Sequence, residues 1–444
     1  LSTILNKLLL LPPQNSNGLL VMIKKGLIAF SPVILMLAIY LVGSIIAGDF
    51  YKIPIAVAFL LAGIYAVAIA PGGNISEKIE HFSRGAADSR ILYMVWIFVF
   101  AGAFAAVAKE IGAIDATVDL TLKYIPSRFL PAGFFLAACF ISMSIGTSVG
   151  TIVALTPIVS ELSAATGADP AWLVGIVVGG AFFGDNLSFI SDTTIAATQT
   201  QGCEMKDKFK TNFRIVLPAA VIALVLYILK WDAVGEVNVA ESIAWFKVIP
   251  YITIIVVALL GVNVLLTLII GIAVAGSIGL LAGEISPITI LTSMGEGIES
   301  MCELILVTMF AGGLLAIVKL KGGMDLLVRG ISSKVSGKRG AEASISFLTA
   351  VANICTANNT IAILTVGTIA KELSEKYSIK PRRTASLMDI TSCFVQGVLP
   401  YGAQLLMASG LASISPLAII PNLYYPILIG IMILLTIILQ WPRR

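Results

Sequence analysis

The chain has 444 residues, 58% of them hydrophobic and 12% charged, with a mean hydropathy of +0.99. That composition excludes a string of soluble domains and leaves an all-α, polytopic membrane protein. A formal net charge of +4 does not imply nucleic-acid binding, because the basic residues fall in loops, where they set orientation in the bilayer. Cys139, Cys203, Cys302, Cys355 and Cys393 lack metal-ligand spacing, and the one histidine, His81, lies in a polar loop. Free thiols are expected, mostly in apolar segments, with no metal centre and no resident cofactor.

Residue 1 is leucine, and the run LLLLPPQNSNG is too short to span a bilayer. Residues 1–25 read as an N-terminal extension, with Met22 close to the natural start. Ten crossings are predicted, at 26–47, 53–70, 91–110, 172–200 (broken), 212–231, 243–261, 264–281, 301–319, 384–411 (broken) and 416–441. Between them, 129–162 and 342–373 are apolar stretches interrupted by polar tips, SMSIGTSVGT and NICTANNT. Each limb is about 14 to 17 residues against the roughly 20 needed to cross, so both are predicted to be re-entrant hairpins.

The basic residues decide for re-entry. With both termini cytoplasmic, Lys24, Lys25, Lys78, Arg84, Arg90, the cluster from Lys206 to Arg214, the segments 319–339 and 371–383, and Arg443 and Arg444 fall inside. Lys52, Lys109, Lys123, Arg128, Lys230 and Lys247 fall outside. A full crossing by the second hairpin would put two strongly basic segments on opposite faces, against the positive-inside tendency. This places a multi-pass protein in the cell's inner membrane.

Phe100-Ala101-Gly102, Lys109, Gly112 and Asp115 recur 210 residues later as Phe310-Ala311-Gly312, Lys319, Gly322 and Asp325. Each half then holds five crossings and a hairpin, so the copies, 26–231 and 243–441, run in opposite orientations about an extracytoplasmic linker at 232–242. The glycines of the two FAG motifs read as close-packing positions.

Function concentrates at GGAFFGDNLSFISDTTIAATQT, from Gly179 to Thr200. Between Asp169 and Glu204 the only charges are Asp185 and Asp192. A carboxylate near the bilayer centre costs roughly 2.5–3.5 kcal/mol, so it is expected to face protein or water and to carry function. Gly179, Gly180, Gly184 and the short polar side chains disfavour a continuous helix, and exposed carbonyls are expected there. Asp185 can hold a proton or a small hard cation but not stay bare cheaply, which makes two ions compete for one place. Asn186, Ser188 and Thr193 add oxygen donors, as hard cations prefer. Asp192 either joins this sodium/proton site or caps the second half-helix.

At the tips, Thr147, Ser148, Thr151, Thr356, Asn358, Asn359 and Thr360 either meet the transported species or only satisfy their turns. Gln396, aligned with Asp185 in the second half, marks the other break together with Tyr401 and Gln404, and all three are candidate cargo contacts. Asp389, about 9 Å along a helix from Arg383, is expected near the interface rather than in the site. No arginine or lysine is expected within the site.

The string GDNLSFISDTT, followed by KDKFKTNFRIVLPA, resembles the NhaC-type sodium/proton antiporters, with similarity over most of 26–441. The tip Ala357-Asn358-Asn359-Thr360 also resembles hairpin tips of the broader ion-transporter superfamily. The resemblance implies secondary active transport with an elevator-like shift of a transport domain, sodium and protons as the exchanged ions, and the lipid bilayer as the surrounding partner. It leaves open a sodium- or proton-coupled carrier of an amino acid or small carboxylate, and a homodimer. An intramembrane aspartyl hydrolase using Asp185 and Asp389, and a passive channel, are rivals from other classes.

Overall fold

The computed structural model describes residues 16–47, 54–189, 191–230, 244–323 and 337–442. Much of the expected N-terminal extension, the linker at 232–242, and Arg443 and Arg444 lie outside the described residues. The first half contains α1 (Ser16–Ala47), α2 (Ile55–Ile69), α3 (Ile75–Ala86), α4 (Ser89–Glu110), α5 (Ala113–Tyr124), α6 (Leu130–Ile145), α7 (Ser148–Thr166), α8 (Pro170–Leu187), α9 (Asp192–Gln201) and α10 (Met205–Leu229). The second contains α11 (Ile249–Leu259), α12 (Val264–Leu281), α13 (Pro287–Ser300), α14 (Cys302–Leu320), α15 (Gly337–Thr356), α16 (Asn359–Lys376), α17 (Pro381–Val398), α18 (Ala403–Ala412), the short α19 (Pro416–Ile419) and α20 (Tyr424–Leu439). No strand occurs among the described residues. By length and composition six helices, or seven counting one bent pair as a span, can cross a membrane, and shorter apolar helices such as Ile55–Ile69 and Tyr424–Leu439 accompany them.

The two halves repeat one backbone. Left-handed residues recur at a constant offset, Gly146 with Ala357, Gly167 with Ser378 and Gly202 with Ser413. Helices α8 and α17 are each 18 residues and open on a proline, while α9 and α18 are each 10. Glycine enters the left-handed region without a Cβ penalty, whereas Ala357, Ser378 and Ser413 bear a cost of roughly 1 kcal/mol or more each. The second copy thus keeps the turn after losing its signal residue.

Glycine pairs also set how close the helices approach. A Cβ on Gly102 of α4 would run into the carbonyl of Gly297 on α13, and one on Gly85 of α3 into that of Gly312 on α14. These crossings answer one another in the two halves, and they explain the repeated FAG motif as backbone contact. Helices α3, α5 and α13 were not expected from the sequence. Each is short and flanks a longer apolar helix. Three of the four hairpin limbs are also longer than expected, α7, α15 and α16 at 19, 20 and 18 residues, while α6 has 16.

Helix α8 lies in the centre of the main core, with every residue from Ala171 to Leu187 buried except Phe183. An apolar surface all the way round suits a helix enclosed by others. Gly179, Gly180 and Gly184 do not interrupt it, contrary to the sequence expectation. A Cβ at Gly180 would strike Ala138 and the Phe135 carbonyl, and one at Gly184 would strike the backbone of Cys139 and Met143. They let limb α6 pack on α8, where Ser142 Oγ donates to the Ala181 carbonyl at 2.6 Å.

Candidate ion site where four helix ends meet

The chain leaves helical geometry after Leu187 and resumes at Asp192. Serine is suited to that interval, because its hydroxyl competes for backbone partners. Asp185 sits one turn before the gap and is 4% exposed. Its Oδ2 accepts from Ser148 Oγ at 3.0 Å, and its Oδ1 accepts from Ser191 Oγ at 2.5 Å. Ser191 in turn touches Thr193 Oγ1 at 2.8 Å. Ser148 is the first residue of α7, so the tip of the first hairpin reaches the broken helix directly.

The second half joins the same point. Gln404 Nε2 donates to Ser148 Oγ at 3.1 Å, and Gln396 Nε2 donates to Gln404 Oε1 at 2.9 Å and to the Ala357 carbonyl at 3.0 Å. A polar chain therefore runs from Asp185 through Ser148 and the two glutamines to the tip of the second hairpin. Gln396 stands one turn before the α17 end, as Asp185 does before the α8 end. The acid of the first break is an amide in the second.

A cavity of about 670 Å³ opens beside this chain. Asp185, Asp192, Thr193, Thr147, Ser148, Asn358, Asn359, Thr360, Gln396 and Gln404 all line it, so most of the residues singled out from sequence share one space. Asp192 is exposed there, and the Gln396 Oε1 is buried without a partner. The cavity also reaches exposed Ser89 at the start of α4 and the turn at Gly261 and Asn263 between α11 and α12, with Tyr93 along its wall.

Five of the singled-out residues do not line it. Asn186 donates to the Phe182 carbonyl and to Tyr425 Oη, each at 3.0 Å, away from the cavity. The Ser188 carbonyl accepts from Thr194 Oγ1 at 2.8 Å. Thr151 and Thr356 bond to the carbonyls of Thr147 and Asn358, and Tyr401 Oη donates to the Ile354 carbonyl at 2.7 Å. Those three hold the turns together.

The pair behind Asp185 was not expected from sequence. Asp389 is fully buried in protein, and Lys208, placed by sequence in a cytoplasmic loop, is its partner at 2.7 Å with a side chain only 1% exposed. Lys208 Nζ also donates to the Asn186 carbonyl at 3.1 Å and to Thr194 Oγ1 at 2.6 Å. All three ammonium protons are thereby used, one on the last turn of α8, one on the first turn of α9 and one on α17. Asn212 supports the arrangement, donating to the Asn186 carbonyl at 2.8 Å and to Asp389 Oδ2 at 2.7 Å.

A signal for Lys208 was present in the sequence. Lys208, Thr211, Asn212, Ile215, Val216 and Ala219 form one buried stripe of α10 at helical spacing, and the lysine heads it. Reading the loop by charge alone concealed the stripe.

Hairpin tips and helix gaps meeting at a polar cavity inside an apolar bundle belong to multi-pass membrane transporters, which tolerate irregular backbone only where protein or water satisfies it. Within that class, this chain is a member of the Na+/H+ antiporter family, whose model matches residues 12–231 and 232–441. It is 22% identical over 414 residues to the Na(+)/H(+) antiporter NhaC of Alkalihalophilus pseudofirmus, covering 85% of this chain and 88% of that one. It is 20% identical over 426 residues to the malate-2H(+)/Na(+)-lactate antiporter of Bacillus subtilis, covering 88% and 91%. Among solved structures, the Alcanivorax borkumensis YdaH transporter aligns with a TM-score of 0.42 and 13% identity, over 87% of this chain and 97% of that one. The relatives are transporters, not enzymes, which removes the hydrolase rival.

Proposed function

We propose that this protein exchanges sodium for protons across the membrane by letting the two ions compete at Asp185. The observation that carries the reading is the near-complete burial of Asp185 beside a polar cavity, with donors from the first hairpin tip and from the gap of its own broken helix on its oxygens. An acid so enclosed is costly to leave ionised and unaccompanied, so loading by one ion favours release of the other. Asp192 and Thr193 stand on the cavity side and serve as the approach and first oxygen contacts for a partly hydrated cation.

The halves 26–231 and 243–441 act as inverted repeats, with hairpins and broken helices carried past a scaffold in an elevator-like step. The cavity mouth at Ser89 adjoins the segment bearing Lys78, Arg84 and Arg90, and the Gly261–Asn263 turn shares that mouth, so on this reading it faces the cytoplasm with both termini inside. The decisive experiment is transport in proteoliposomes carrying an internal pH dye. Sodium alone moves protons with the wild type, and Asp185→Asn, correctly folded, moves none. Proton movement retained by Asp185→Asn refutes the assignment.

The size of the cavity favours one further reading on the same fold. About 670 Å³ far exceeds the roughly 30 Å³ of a water molecule, and Asn358, Asn359 and Thr360 add polar groups to its wall. A small amino acid or organic acid coupled to sodium or protons fits that space. A panel of such solutes in the same proteoliposomes separates the two, since obligatory cargo leaves sodium alone without effect.

A further inference from the structure

Away from the ion site, two adjoining concavities lie where α10, α15 and α17 begin and α20 ends. One, about 310 Å³, is lined by Lys338, Lys380, Arg382, Arg383 and Gln440 beside Thr211 and Pro442. The other, about 250 Å³, is lined by Asp207, Lys210 and Arg214, and shares Thr211 and Arg382 with the first. Asp207, 4.0 Å from Arg382, is the one acid lining either concavity. Arg383 is already held by Glu342 from behind. No ion pair among the described residues involves Lys338, Lys380, Lys210 or Arg214. The sequence offers no acid between Asp325 and Glu342, nor any after Asp389.

Cytoplasmic orientation accounts for the sign of these charges but not for their positions. Lys380 is the N-cap of α17, Lys338 is the second residue of α15, and Lys210 is in the second turn of α10. Helix N-termini carry partial positive charge, so cations gathered there are unfavourable unless an anion is present. Guanidinium and ammonium groups gathered with helix N-termini form the usual recognition chemistry for a phosphate group. The neighbouring surface is apolar, with Phe213 41%, Ile438 59%, Leu439 57% and Trp441 37% exposed. A tryptophan at the end of an apolar helix marks the headgroup level of a bilayer. The occupant must therefore be anionic at one end and apolar along its length.

We propose that the double concavity binds the phosphate headgroup of an anionic phospholipid, with its acyl chains along the exposed apolar sides of α10 and α20. A two-phosphate lipid bridges both concavities through Arg382. Because α10 also carries Lys208 and α17 also carries Asp389, headgroup binding braces the helices that hold the first break.

The test uses the full chain, purified in detergent and stripped of lipid, with unfolding followed on heating. Phosphatidylglycerol or diphosphatidylglycerol at saturation raises the midpoint by about 3–5 °C, while phosphatidylcholine and inorganic phosphate do not. The shift disappears in Lys210→Gln/Arg214→Gln/Lys338→Gln/Lys380→Gln and persists in a control carrying Lys78→Gln, Lys371→Gln and Lys376→Gln. Equal stabilisation by phosphatidylcholine, or a shift that survives the fourfold change, overturns the proposal. A full shift with inorganic phosphate alone makes it a site for the free anion and overturns the lipid assignment. Should the fourfold variant not fold, Arg382→Gln alone is compared with the wild type by native mass spectrometry for retained anionic lipid. Equal retention then overturns the proposal.

Discussion

Replacing Lys208 with methionine keeps much of the side-chain volume and removes one charge from a pair whose members are 1% and 0% exposed and 2.7 Å apart. Asp389 Oδ1 already lacks a partner, so after the change the carboxylate retains only the Asn212 amide. The carbonyl of Asn186 and Thr194 Oγ1 each lose a donor as well. Removing one member of a buried ion pair costs about 3–5 kcal/mol, mainly because the other charge is left uncompensated. Neutralising both members returns most of that loss, since the penalty lay in the unpaired charge rather than in the absence of the pair. Lys208→Met is therefore expected to destabilise the detergent-solubilised protein by about 3–5 kcal/mol, and Lys208→Met/Asp389→Asn to sit within about 2 kcal/mol of the wild type. The assay is a double-mutant cycle by denaturant titration, with helix content read by circular dichroism. Additive losses refute the reasoning, because they show that Lys208 and Asp389 do not stabilise one another.

Three other outcomes are expected. Ser191→Ala deletes the hydrogen bond on Asp185 Oδ1 and leaves that buried oxygen without its donor, so sodium-driven proton movement falls severalfold at matched protein levels; a rate equal to the wild type removes Ser191 from the site. Gly102→Ala forces a methyl group against the Gly297 carbonyl and is expected to cost about 1–3 kcal/mol, with a matching drop in the thermal midpoint. Arg383→Met strands Glu342, which is fully buried and otherwise bonded to Gln440, and lowers stability by about 3–5 kcal/mol. Glu342→Gln lowers it by less, because the Arg383 guanidinium left behind keeps the Trp441 and Thr436 carbonyls and borders a concavity.

Much of the architecture was legible because hydrophobic length and charge location are strong signals in a bilayer. The tips at Gly146 and Ala357 and the breaks after Asp185 and Gln396 were visible as polar residues in apolar runs. The extent of helix α8 was misread because Gly179, Gly180 and Gly184 carry two meanings, flexibility and close approach, and only packing against α6 distinguishes them. The Lys208 and Asp389 pair was hidden for a different reason. Long-range partners 181 positions apart leave no local pattern, and Lys208 sits between Lys206 and Lys210, both exposed. Asn186 shows the converse, since adjacency to Asp185 in sequence suggested a ligand while helical rotation turns it toward Tyr425.

Competition between two ions for one enclosed acid has a direct signature in the apparent affinity for sodium, measured in proteoliposomes as the external and internal pH are raised together. With a shared place at Asp185, the half-saturating sodium concentration falls about tenfold per pH unit while protons occupy the acid, then levels off once they have left. A half-saturating concentration that stays constant across the same range contradicts exchange at a common site.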